Sequence, residues 1–171
     1  MKKWNFVLML KLTFLVILGF IAYNFLLYQI GIVPLGGKKA PSFVILLIAQ
    51  WYLVYHRQQK SQDKSIHFLN LFALQYFFVT IVGLISSIGL YFFYSSPTGL
   101  QVLNEFVQLS VNELSQYKSQ ILLQEDLRFF EQLMEGVRSI NASSIAKDDF
   151  FQKIALAFLP NLLISLYYKQ N

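Results

Sequence analysis

Hydrophobic and polar positions alternate along this chain in four long apolar runs, with one amphipathic stretch between the third and fourth. Residues 12–33 carry no charge over 22 positions, more than the roughly 20 needed to cross a bilayer core, and predict a first span. Lys2 and Lys3 precede it, and Lys11 sits at its edge, where a four-carbon stem can carry the ammonium to the headgroups. The lysine pair also suits a cleaved leader, but a leader core is only about 7–15 residues and no small-x-small cleavage site follows. Pro34, Gly36, Gly37 and Pro41 then turn the chain back, because proline and glycine punctuate helices and the residue before proline is pushed out of the helical region.

The second run, Phe43 to Tyr55, rises only about 20 Å as a helix. With its flanks it reads as a span over 41–56, with a re-entrant segment as the alternative; Trp51, Tyr52 and Tyr55 are rings that favour the membrane interface. The third run, 66–94, has no formal charge and would measure about 43 Å, so it must tilt or project. The last, 150–168, holds Lys153 near its start and Pro160 in its middle, where a kink is expected.

Between them, residues 95–149 repeat apolar side chains every three or four positions. Thr98 and Gln101 have capping-box spacing and open one helix. Leu100, Leu103, Val107, Leu114, Tyr117 and Ile121 form its seam; Leu127, Phe130, Met134 and Val137 form that of a second, shorter helix. The two are expected to face each other. The predicted fold is therefore all-α: one integral domain over 1–171, a four-span transmembrane helical bundle with an extracytoplasmic helical hairpin between the third and fourth spans.

Composition agrees with a lipid solvent: 56% of residues are apolar and only 13% charged, against roughly 25% charged in a soluble domain. The absence of cysteine removes disulfides, thiolate metal sites and thiol nucleophiles. Charge also sets orientation. Lys2, Lys3, Arg57, Lys60, Lys64 and Lys169 fall on one side of four spans and only Lys38 and Lys39 in the opposite short loop, so both termini are expected in the cytoplasm of a bacterium, with the protein in its inner membrane. Residues 95–149 hold eight of the nine acidic residues against four basic ones, so the net charge of +5 is a topology signal and no nucleic-acid partner is expected.

Within the runs, Asn24, Gln50, Gln75, Asn161 and Ser165 are the deeply placed polar side chains, each expected to find an interhelical hydrogen bond. Ala73, Thr80, Gly83 and Ser87 form a small-residue stripe on the third run that suits close helix packing. No carboxylate lies well inside a run by this reading; Asp148 and Asp149, with Ser144, are taken to cap and complement the start of the last helix. His56 and His67 flank the short inner loop without a nearby nucleophile, and Glu131 and Glu135, one turn apart, read as a solvated face. No enzyme, cofactor or metal is expected.

A short loop after Arg57, a long helix, the Ser96-Pro97 exit, an outer helical segment and a last helix running Phe-Leu-Pro-Asn-Leu-Leu-Ile-Ser-Leu from Phe158 to Leu166 give a layout that resembles a Bacteroidota family of four-helix inner-membrane proteins defined only as a domain of unknown function. The resemblance implies no activity, cofactor or catalytic residue. The expected role is interaction: assembly with itself, or as an accessory subunit of a larger membrane complex, through the outer hairpin and the third-helix seam. The alternative is a small carrier or lipid-binding bundle with a neutral polar cavity built from Asn24, Gln50 and Gln75.

Overall fold

A computed structural model describes residues 6–59 and 67–169. Lys2, Lys3, Lys60, Asp63 and Lys64, and Ile66, the first residue of the third expected span, lie outside the described residues. Among the described residues seven α-helices follow one another: α1 (Phe6–Gln29), α2 (Phe43–Gln59), α3 (Phe68–Ser95), α4 (Pro97–Gln116), α5 (Lys118–Ile121), α6 (Leu127–Arg138) and α7 (Ala142–Lys169). There is no strand among the described residues. Three helices, α1, α3 and α7, are long and apolar enough to cross a membrane. Two compact units divide the chain, one of Met1–Ser87 with Asp148–Asn171 and one of Ile88–Lys147.

In the first unit, α1 lies upstream of the expected 12–33. It starts by Phe6, so Lys11 is an exposed residue inside the helix rather than a boundary. Its end is fixed by Gly31, whose φ of 76° is a left-handed conformation open to glycine. The Gly31 amide donates to the Tyr28 carbonyl and that of Ile32 to the Leu27 carbonyl, the paired bonds of a Schellman stop. Uncharged residues 30–33 continue the apolar run but not the helix. A short 3₁₀ segment, Gly36–Ser42, then leads into α2, which takes in Phe43–Gln59 rather than 41–56.

Named contacts fix the helix directions. Tyr23 donates to the Lys38 carbonyl while Gly19 approaches Ile45, so α1 and α2 run antiparallel. Ser86 reaches Asp149 and Gln75 reaches Ser165, so α3 and α7 also oppose. Lys39 meets Asp149 and Gln50 meets Asn161, which sets α2 parallel to α7. The four helices share one core: Met9, Val16 and Phe20 of α1, Leu46 and Leu53 of α2, Phe78 and Val82 of α3, and Ala157 of α7. Outward faces are apolar as well, with Phe14, Leu18 and Ile21 of α1, Ile48 and Trp51 of α2, Leu84 of α3 and Leu163 of α7 all exposed. The fully buried polar side chains Gln50, Gln75, Asn161 and Ser165 point the other way, which inverts the soluble pattern.

α7 begins eight residues before the expected 150. Asn141 caps it, its Oδ1 accepting from the Ser143 and Ser144 amides at 3.0 Å each, while Ser144 Oγ accepts from the Asn141 amide. Asp148 and Asp149 are therefore not its caps; both lie about two turns inside. The helix continues unbroken across Pro160.

In the second unit, α4 starts at Pro97 and not at a Thr98–Gln101 box. Ser96 is the cap, accepting from the Gly99 amide at 3.2 Å, and proline fits the first helical position because its missing N–H would have no partner there. α6 is capped by Asp126, which accepts from the Phe129 amide at 2.7 Å. α4 and α6 pack together. Leu103 and Phe130 are buried, and Val107, Leu114, Ile121, Met134 and Val137 are half-buried. Leu100, Tyr117 and Leu127 depart from the expected seam and stand about half exposed; for Tyr117 and Leu127 the reason is that α4 ends at Gln116 and the helical phase does not carry through the turn to α6. Val102, on the same helix as Leu103, is buried in addition.

Candidate functional site

Two polar layers lie inside the first unit. The deeper one is made of amides. Gln50 of α2 donates from Nε2 to Asn161 Oδ1 of α7 at 2.5 Å. Gln75 of α3 donates to Ser165 Oγ at 2.7 Å and to the Asn161 carbonyl at 3.3 Å. All four side chains are fully buried, and three helices are tied by them. One end of each amide has no protein partner: Gln50 Oε1, Gln75 Oε1 and Asn161 Nδ2. Asn24 is not part of this layer. It is half-buried on α1, with its own Oδ1 unpartnered.

The second layer is ionic. Asp149 of α7 accepts from Lys39 on Oδ1 at 3.1 Å, and from Lys153 and Ser86 on Oδ2, the latter at 2.9 Å. The Asp149 and Lys153 side chains are buried and that of Lys39 nearly so. Lys153 also stands over the Phe20 ring, 4.9 Å from its centroid, so all four helices or their immediate flanks contribute. This layer is absent from the sequence expectation. In sequence Asp149 reads as part of a helix start and Lys153 as the edge of an apolar run, and an i,i+4 pair of opposite charge next to a long apolar run is the one local signal that points to this layer.

The small-residue stripe divides. Gly83 and Ser87 are buried, and a Cβ on Gly83 would lie 3.1 Å from the Phe150 ring, so α7 covers this glycine. Thr80 is half-buried and donates to the Tyr76 carbonyl of its own helix, while Ala73 is exposed. His56 is half-buried beside Tyr52, and His67 is exposed. Among the described residues no three histidine, aspartate or glutamate side chains converge as metal ligands would.

The chemistry available is therefore recognition by hydrogen bonds and charge: a neutral layer with unsatisfied amide ends, and a cationic layer built on two ammoniums and one carboxylate. No family model, curated protein or solved structure matches the chain.

Proposed function

We propose that the chain is a four-span protein of a bacterial inner membrane, with both termini cytoplasmic, that works without catalysis as an assembly or accessory subunit. α2 would be the fourth crossing. Its 17 residues are short, but it keeps pace with α7 from the Lys39–Asp149 contact through Gln50–Asn161 to the packing of Val54 beside Tyr168, and its outward side chains are apolar or aromatic. α4 to α6 would then be extracytoplasmic and antiparallel.

The observation that carries the assembly reading is the outer face of the second unit. Leu109, Leu127, Phe129 and Leu133 of α4 and α6, with Leu122 and Leu123 in the turn before α6, are all more than a third exposed, Leu123 at 85%, and none lies in an apolar span. Apolar surface of this kind suits contact with another protein or with the membrane surface, and the assembly reading takes the first. The Gly83 part of the third-helix seam is already filled by Phe150, so recognition would rest on the outer unit. Leu123→Cys in native membranes is expected to give a crosslinked product, either a dimer of this chain or an adduct with a second polypeptide. A product that stays monomeric under oxidant and under a short bifunctional crosslinker overturns the reading.

A carrier or lipid-binding bundle is the second reading. It draws on the unpaired ends of Gln50, Gln75 and Asn161, although Asn24 lies outside their hydrogen-bonded set.

A further inference from the structure

The ionic layer is not neutral. One carboxylate faces two ammoniums, and both carboxylate oxygens are already engaged, so one positive charge remains uncompensated where water is scarce. Buried charge is retained when it is paired. Lys153 is held by Asp149 and the Phe20 ring, whereas Lys39 spends one of its three N–H donors on Asp149 and is the more exposed of the two. The open valence is therefore at Lys39.

Depth identifies what can fill it. Twenty residues of continuous helix separate Asp149 from Lys169, about 30 Å, which is the thickness of the hydrocarbon core. On α3, Ser86 stands 18 residues, about 27 Å, from Phe68. With Lys169 and Arg57 at one headgroup level, Lys39, Ser86 and Asp149 fall at the level of the phosphates in the opposite leaflet.

We infer that Lys39, backed by Lys153, binds the phosphodiester of an anionic phospholipid. A headgroup of net charge −1 neutralises the site. A zwitterionic headgroup brings an ammonium of its own and restores the excess, so the site discriminates between the two. The inference rests on the membrane placement of α3 and α7, with α2 as the proposed crossing beside them, and not on the outer-unit contact of the assembly reading.

The test uses the full chain, delipidated in a neutral detergent and titrated with phosphatidylglycerol, phosphatidylethanolamine and inorganic phosphate, with bound lipid counted by native mass spectrometry. Phosphatidylglycerol is expected to bind about tenfold or more tightly than phosphatidylethanolamine, and Lys39→Gln to remove that preference while Lys38→Gln and Lys39→Arg keep it. Equal binding of the two lipids, an unchanged preference in Lys39→Gln, or displacement of the lipid by inorganic phosphate each overturns the inference. Should Lys39→Gln not fold, the wild-type comparison of the two lipids decides alone. Absence of the preference in the wild-type chain, with the Leu123→Cys crosslink formed, removes this site and leaves the assembly reading standing.

Discussion

Gln50 donates its amide N–H to Asn161 across 111 residues of chain, and neither side chain exposes any surface. In lipid the alternative to such a bond is a bare amide in hydrocarbon, so the pair specifies which faces of α2 and α7 meet. Measured interhelical bonds in membranes are worth about 0.6–2 kcal/mol. Gln50→Leu is expected to lower stability by about 1–2 kcal/mol, since it strands Asn161. The double change Gln50→Leu with Asn161→Leu should cost less than the two single changes added, because it removes the stranded partner as well. Reversible unfolding in mixed micelles measures both; additive losses would mean the two side chains are not coupled.

Asp149 is the carboxylate that joins the buried Lys153 to the half-buried Lys39, and its removal is the most damaging change to the ionic layer. Asp149→Asn leaves both ammoniums unpaired, and breaking a buried pair from one side costs about 3–5 kcal/mol. Lys153→Met should cost less, because Asp149 keeps Lys39 and Ser86 and the methionine stem still packs on Phe20. The ranking is read from unfolding midpoints of the two variants; a Lys153→Met loss equal to that of Asp149→Asn contradicts it.

The two layers differ in how far the sequence shows them. Gln50, Gln75, Asn161 and Ser165 can be picked out because each is a polar interruption deep in an apolar run, where it has a high cost unless bonded. Lys39 and Asp149 give no such signal. One sits in a proline- and glycine-rich turn, the other in a pair of aspartates that reads as the start of a helix, and nothing local joins residues 110 positions apart. The same ambiguity displaced helix boundaries: Asn141, a better cap than any residue near 148, begins α7 early and draws Asp149 into the bundle. The apolar run 12–33 hid the end of α1, because hydropathy does not see the left-handed turn at Gly31. The all-helical class and the long apolar helices α1, α3 and α7 were legible from hydropathy, whereas the extra turn of α5 and the break in phase after Gln116 were not.

Gly99 and Gly89 separate close packing from propensity. A Cβ at Gly99 would fall 1.9 Å from the Phe93 carbonyl oxygen, a backbone atom that cannot swing away, whereas Gly89 has open space. Gly99→Ala is expected to destabilise by about 1–3 kcal/mol or more through displacement of the α3–α4 turn. Gly89→Ala should be neutral or stabilising by up to about 1 kcal/mol, as glycine lowers helix propensity. Thermal unfolding of the two single variants distinguishes them, and equal effects would show that the close approach at Gly99 is relieved without cost.

Ser96 and Asp126 start the two helices of the second unit by accepting amide protons that would otherwise lack partners. Ser96→Ala and Asp126→Ala should each cost about 1 kcal/mol. The loss is local, so hydrogen exchange should speed up at the first amides of α4 or α6 respectively while the amides of α2 are unchanged. Faster exchange spread evenly over all helices would indicate that the caps hold more than their own turns.

Four crossings put residues 59 and 119 on opposite sides of the membrane; three crossings by α1, α3 and α7 alone, with α2 re-entrant, leave residues 59 and 119 separated by the single passage of α3 as well, so a label at those two positions cannot distinguish the alternatives. The decisive position is the start of the chain. With α2 spanning, residues 59 and 1 share a side; with α2 re-entrant they do not. Because the chain has no cysteine, Gln59→Cys and Lys3→Cys can each be labelled singly with a membrane-impermeant thiol reagent. Both are expected to label only after the membrane is opened from the cytoplasmic side, and Ser119→Cys to label in intact spheroplasts. Labelling of Gln59→Cys in intact spheroplasts, with Lys3→Cys protected, would make α2 a re-entrant helix and move the aromatic face of Trp51 and Tyr55 to the outer interface.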